Sequence, residues 1–143
     1  MNHYMHVADC VKSDELVHFT QELVRINSVF DPEKTGANEE AAAGYIAEFL
    51  IREGFEVHIE EVVPGRPNVI AFLRGKKPGK TILFEGHTDG TFLHAWKGIP
   101  VIVIGAGDTY IPRHADEYVD IPELIETAKI YALTSMYFLN GEV

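Results

Sequence analysis

Thr81-Ile82-Leu83-Phe84-Glu85-Gly86-His87-Thr88-Asp89 reads as a buried strand that ends in a turn. The apolar run from Thr81 to Glu85 supplies the strand, and Gly86 releases the chain where His87 and Asp89 follow. An imidazole and a carboxylate two residues apart at a strand exit are placed to hold a metal. The carboxylate orients the ring and raises its basicity while the ring's other nitrogen binds the ion. A second pattern, Thr88-Asp89-Gly90-Thr91-Phe92-Leu93, starts inside the first and uses the same Thr-Asp pair. Two patterns that share two residues mark a junction near 88–91, from which an intervening segment is absent.

Upstream, Ser13 is a cap for a helix with Asp14 and Glu15 in its first turn. Leu16, Phe19, Leu23 and Ile26 recur at helical spacing, and Val17 and Val24 widen that stripe. Asn38 caps a second helix carrying Tyr45, Ile46, Phe49 and Leu50, and Gly54 is its left-handed stop. Phe55, Val57 and Ile59 alternate with Glu56, His58 and Glu60, the pattern of a half-exposed strand. Pro64-Gly65-Arg66-Pro67 is a turn, Val69 to Leu73 a more fully apolar strand, and Gly75-Lys76-Lys77-Pro78-Gly79 a hairpin-like loop.

Downstream of Asp89, the spacing predicts a short helix through Phe92, Leu93 and Trp96. Val101-Ile102-Val103-Ile104 is continuously apolar, which predicts a strand buried on both faces. A long loop from Gly105 to Asp120 precedes a last helix, with Pro122 in its first turn. That helix turns Leu124, Ile125, Ala128, Tyr131, Ala132, Ser135 and Phe138 to the core. The sum predicts one layered α/β domain with a mixed, mostly parallel central sheet flanked by helices.

The 143 residues suit a single domain. The net charge of −10 disfavours nucleic acid or an anionic membrane as partner. Cys10 is the only cysteine, so no internal disulfide forms and a reducing cytoplasm is the expected compartment. The first residues lack the layout of a secretion signal, and no apolar run approaches the roughly 20 residues that span a bilayer. His3 and His6 are a weak candidate metal pair.

The residues suited to chemistry gather at strand ends: His87, Asp89, Asp108, His114, Asp116 and Glu117. Ligands of open α/β sheets sit beyond the carboxyl ends of strands. Two imidazoles with carboxylates and no thiolate suit zinc, cobalt or manganese. Plainer roles stand beside these: Asp89 as a helix cap, His114 as a surface loop histidine, Glu117 as a charge approaching a helix. His94 packs or meets solvent, and His58 lies on the polar face of its strand. Gly105-Ala106-Gly107 is half a dinucleotide fingerprint without the third glycine. There is no nucleophile elbow, no phosphate-binding loop and no basic stripe interleaved with aromatics.

Taken together, Asn68-Val69-Ile70-Ala71, Thr81-Ile82-Leu83-Phe84 and Gly86-His87-Thr88-Asp89 resemble the zinc-dependent exopeptidase and deacylase family. This is the family of acetylornithine deacetylase, succinyl-diaminopimelate desuccinylase and carboxypeptidase G. Thr88 to Leu93, Gly98-Ile99-Pro100-Val101 and Gly105-Ala106-Gly107 resemble the closing part of the same catalytic domain, and His114-Ala115-Asp116-Glu117-Tyr118-Val119 its last motif. The resemblance runs from about residue 12 to the end of the chain. It implies that His87 ligates one zinc, that Asp89 orients His87, and that His114 ligates the other zinc. It also implies a bridging aspartate, a Glu-Glu pair, a further acidic ligand and an inserted lid or dimerisation domain. These fall between the two fused patterns and are missing. Glu39-Glu40 and Glu60-Glu61 precede His87 and stand in the wrong context.

The family reaction has a glutamate deprotonate a metal-bridging water for attack on an amide. The expectation is therefore a truncated, catalytically impaired core of a metal-dependent amide hydrolase. One alternative is a mononuclear zinc hydrolase of N-acyl amino acids or small peptides, built on His87, His114 and a local carboxylate. Another is a binding or oligomerisation module that associates through exposed strand edges.

Overall fold

The peptide groups of Glu56–Val63 and Arg66–Phe72 pair with each other across a two-residue loop. This antiparallel hairpin (β1, Glu56–Val63; β2, Arg66–Phe72) is the sheet of the computed structural model, which describes residues 3–31, 33–34, 38–84, 90–107 and 117–141. Five helices accompany it: α1 (His3–Asp9), α2 (Ser13–Arg25), α3 (Glu40–Arg52), α4 (Gly90–Lys97) and α5 (Ile121–Asn140). The chain divides into two compact units, Val17–Pro78 and the combination of Met1–Leu16 with Gly79–Val143.

In the unit Val17–Pro78, local signals set the elements. The Asn38 side-chain oxygen accepts from the Glu40 amide at 3.0 Å, leading the chain into α3. At the other end, Gly54 adopts φ 87°. Its amide donates to the Ile51 carbonyl, and the Phe55 amide donates to that of Leu50, both at 3.0 Å. This double bond pattern is the Schellman stop, in which a left-handed glycine satisfies carbonyls the helix leaves open. At the hairpin tip, Pro64 followed by Gly65 at φ 77° is the residue order of a type II turn. Such a turn splays strands relative to the primed types. The register irregularity between Glu61 and Val63 absorbs the mismatch.

Helix α3 carries aromatics on one side and small residues on the other. Phe19 of α2 meets Tyr45 with ring centroids 5.2 Å apart and Phe49 at 4.3 Å. Ala43 and Ala47 lie across the helix from this pair, by their spacing, and are the buried side chains among the described residues. Methyl-sized groups let a helix approach a neighbour closely, and α3 packs on both β1 and β2. The strand pairs Val57–Ala71 and Ile59–Val69 share one hairpin face, while Glu56–Phe72 and His58–Ile70 share the other. Along β2 burial alternates, with Pro67, Val69 and Ala71 half-buried.

A three-part contact fixes the hairpin tip to α3. The Glu39 amide donates to the Gly65 carbonyl at 3.1 Å. Arg66 Nε and Nη2 each lie 2.9 Å from Glu39 Oε1. The same guanidinium sits 4.5 Å from the Phe30 ring centroid, a cation–π arrangement.

In the other unit, α5 is the spine. Pro122 stands in its first turn and Gly141, at φ 74°, closes it. Helix α1 packs against it. Lys80 Nζ lies 4.8 Å from the Phe138 ring centroid, and Phe84 packs on Tyr131 at 5.3 Å. The Tyr131 hydroxyl donates to the Ile104 carbonyl, and the Gly107 amide donates to Glu123 Oε2 at 3.0 Å. Residues 80–84 and 104–107 thus both run antiparallel to α5, and both reach Tyr131.

These findings correct the expected layered α/β domain. The described residues form five helices and a two-stranded antiparallel hairpin, not a mixed, mostly parallel central sheet. Thr81–Phe84 is irregular instead of a strand. Val101–Ile104, expected to be buried on both faces, is irregular and exposed, with Ile102 at 80% and Val103 at 73%. The reason is that an apolar run becomes a buried strand only with neighbours for its peptide groups and cover for both faces. Among the described residues neither segment has a ladder partner. Val24, expected to widen the apolar stripe of α2, is also exposed, whereas Leu16, Phe19, Leu23 and Ile26 are half-buried.

The hairpin tip gives a stability test. A Cβ on Gly65 would lie 2.5 Å from Asn38 Nδ2 and 2.9 Å from Asn38 Cβ, in a backbone conformation that L side chains rarely adopt. Gly65→Ala is expected to destabilise the protein by about 1–3 kcal/mol, measured as a lower midpoint in urea unfolding.

Candidate metal centre

His87, Asp89 and His114, the residues expected to hold or orient a metal, lie outside the described residues, as do Asp108 and Asp116. The segments that adjoin them in sequence are described. Helix α4 begins at Gly90, the residue after Asp89 in sequence, and ends at Lys97; Gly98 follows at φ 64°, its amide donating to the His94 carbonyl at 2.9 Å. His94 turns its Nδ1 to within 3.0 Å of the Ile99 carbonyl, so this ring ties the end of α4 to the segment that follows. Glu117 is exposed in the irregular stretch before α5.

Among the described residues, no three His, Cys, Asp or Glu side chains come together in a way that could hold a metal ion. The acidic pairs do structural work. Glu39 accepts from Arg66, and the Glu61 carboxylate accepts from the Gly65 amide at 2.8 Å, bracing the turn. The half fingerprint Gly105-Ala106-Gly107 is a bend in irregular chain. The Gly107 amide, at φ 92°, is taken by the Glu123 carboxylate from the first turn of α5.

One described cluster combines titratable groups. On the outer face of the hairpin, Glu56 Oε2 accepts from Arg74 Nε at 2.9 Å, and Glu56 Oε1 lies 3.1 Å from His58 Nε2. The His58 ring stands edge-on to Phe72 at 5.8 Å, and Arg74 lies 5.6 Å from the same ring. The Arg74 hydrogen bond holds the Glu56 carboxyl below its ordinary value, helped by the His58 hydrogen bond and the Arg74 charge. The same bond raises the Arg74 guanidinium. Sequence reading placed His58 on the polar strand face and missed this pairing. The signal was Glu56 and His58 two apart on one strand face, but Arg74 lies beyond the second strand and is brought in only by the hairpin register.

A carboxyl held low in the folded state favours folding above its unfolded pKa, and that contribution is lost as pH falls through the folded value. Arg74→Ala is expected to return the Glu56 titration toward the ordinary carboxylate range, read by NMR titration of the Glu56 side-chain carbonyl.

Among the described residues no helix is long and apolar enough to cross a membrane. No protein-family model, curated protein or solved structure matches the chain.

Proposed function

We propose that this chain is a shortened remnant of the catalytic core of a metal-dependent amide hydrolase, with hydrolysis impaired. The observation that carries this reading is the fusion at Thr88-Asp89 of two patterns that resemble the opening and closing parts of one catalytic domain. His87 and His114 would bind zinc, with cobalt or manganese as substitutes, and Asp89 would orient His87. The substrate class is a small peptide or an N-acyl amino acid. Zinc there would polarise the amide carbonyl and activate water. General-base assistance typically contributes about a hundred- to ten-thousand-fold, and the fused sequence lacks the glutamate that would give it. The two apolar segments that flank α5 without a ladder are in keeping with strands deprived of their sheet partners. The lone cysteine keeps the cytoplasm as the proposed compartment.

Purified protein incubated with excess zinc is expected to leave N-acyl amino acids and dipeptides uncleaved above the metal-only rate, with His87→Ala indistinguishable from wild type. Robust metal-dependent cleavage that His87→Ala abolishes would sink the reading.

A second reading, association of copies through exposed apolar segments, is favoured by one observation. Leu83 (69%), Phe84 (54%), Ile102 and Val103 are all exposed in irregular chain. Uncharged apolar segments outside a strand ladder invite edge-to-edge pairing. Light scattering is expected to show species larger than a monomer, shifted toward monomer by Val103→Lys. A monodisperse monomer at all accessible concentrations would rule association out.

A further inference from the structure

Strand β2 ends at Phe72, and from Leu73 to Thr81 the chain is irregular and exposed at every residue, with bends at Lys76, Lys77 and Pro78. Among the described residues, Gly75 to Pro78 make no backbone hydrogen bond. The unit Val17–Pro78 ends in this segment. Exposed irregular chain at the edge of a compact unit, carrying glycine and proline, is where proteolytic nicking concentrates.

The charge of this segment is opposite to that of the chain. Arg74, Lys76, Lys77 and Lys80 fall within seven positions with no acid among them, in a chain of net charge −10. Arg74 is tied to Glu56 at 2.9 Å, whereas Lys76 and Lys77 have no ion-pair partner among the described residues. An endopeptidase takes its substrate as extended chain with open peptide groups, and a trypsin-like one seats a basic side chain over a carboxylate. Other basic residues are less open to it. Arg25, Arg52, Lys97 and Lys129 lie in helices and Arg66 in β2, so cleavage there waits on local opening. Lys34 sits in a turn, its amide donating to the Asp31 carbonyl and its ammonium pairing with the Asp31 carboxylate, both at 3.1 Å.

We propose that the Lys76–Lys77 peptide bond is a processing site for a trypsin-like endopeptidase, and that the two fragments stay joined after the cut. Lys76 enters the carboxylate-lined pocket. Water adds across the bond: its oxygen ends on the Lys76 carbonyl carbon as a carboxylate, and the Lys77 nitrogen leaves as an ammonium group. The bond after Lys77 is protected, because Pro78 puts its ring on the leaving nitrogen and has no N–H there. The amino-terminal fragment retains α1 and the carboxyl-terminal fragment retains α5. These two helices pack on each other, so the contact outlives the bond. The site is independent of His87 and His114 and of the proposed hydrolase ancestry.

Brief digestion of the full chain with dilute trypsin tests both parts. The first cut should give a new amino terminus reading Lys77-Pro78-Gly79, identified by sequencing and mass. Removing the bases of the segment in Arg74→Gln/Lys76→Gln/Lys77→Gln/Lys80→Gln should slow the loss of intact chain roughly tenfold or more, since the remaining sites must open first. The nicked wild type should elute with the intact chain on size exclusion and come apart in urea. Val7→Asp, at a half-buried position of α1, should let its fragments separate without denaturant. A first cut in the wild type outside Arg74–Lys80 overturns the processing site, as does undiminished loss of the substituted chain. Wild-type fragments that part without denaturant overturn the joined pair.

Discussion

A β-strand persists where a neighbour takes up its peptide hydrogen bonds, and this requirement governs the described part of the chain. For Glu56–Val63 the neighbour is supplied by the next few residues. The loop Pro64-Gly65 closes the pair at little entropic cost, and Gly65 accepts the positive φ that the turn demands. Thr81–Phe84 and Val101–Ile104 are as strand-like in composition, but among the described residues neither has a neighbouring strand that takes up its peptide groups. Each lies instead along α5, held by Lys80 on Phe138, Phe84 on Tyr131 and Ile104 on the Tyr131 hydroxyl.

The hairpin in turn decides what α3 can be. A two-stranded sheet is marginal alone and needs a packed layer. Ala43 and Ala47 let that layer approach, while Tyr45 and Phe49 on the other side engage Phe19. The Glu39–Arg66 contact then fixes where along the hairpin the helix starts. Its two side chains remain 32% and 47% exposed, so its energetic worth is at the small end for ion pairs and its effect is mainly on register. The contrast with the segments on α5 is one of burial. Full burial of a side chain such as Ile102 or Val103 would be worth roughly 1.5–3 kcal/mol, and their exposure forgoes most of it.

The features legible in the sequence are those whose cause lies within a few residues. Gly54 as a left-handed stop, Pro64-Gly65 as a turn, Pro122 in the first turn of α5 and the strand at Glu56–Val63 all depend on local backbone chemistry, although the expected alternation fails at Ile59, which is exposed. Small displacements of ends also fit this rule. Helix α2 takes in Ser13, with the Lys12 carbonyl accepting from the Leu16 amide, one residue ahead of a Ser13 cap. What failed was nonlocal. An apolar run states that cover would be favourable, not that the chain brings cover to it. Reading Val101–Ile104 as doubly buried assumed layers that the described chain does not build.

The same distinction separates a motif from a metal site. Asp89 can be matched to His87 from sequence because only Thr88 lies between them, but a shell that also includes His114 requires distant segments to converge. In a hydrolase core a sheet does that work, by aligning strand ends on one edge. Without such a sheet among the described residues, the motif retains its local chemistry and loses the argument from strand ends that joined it to His114. The described acidic pairs show the consequence: Glu39 and Glu61 serve the hairpin tip, where local geometry brought them.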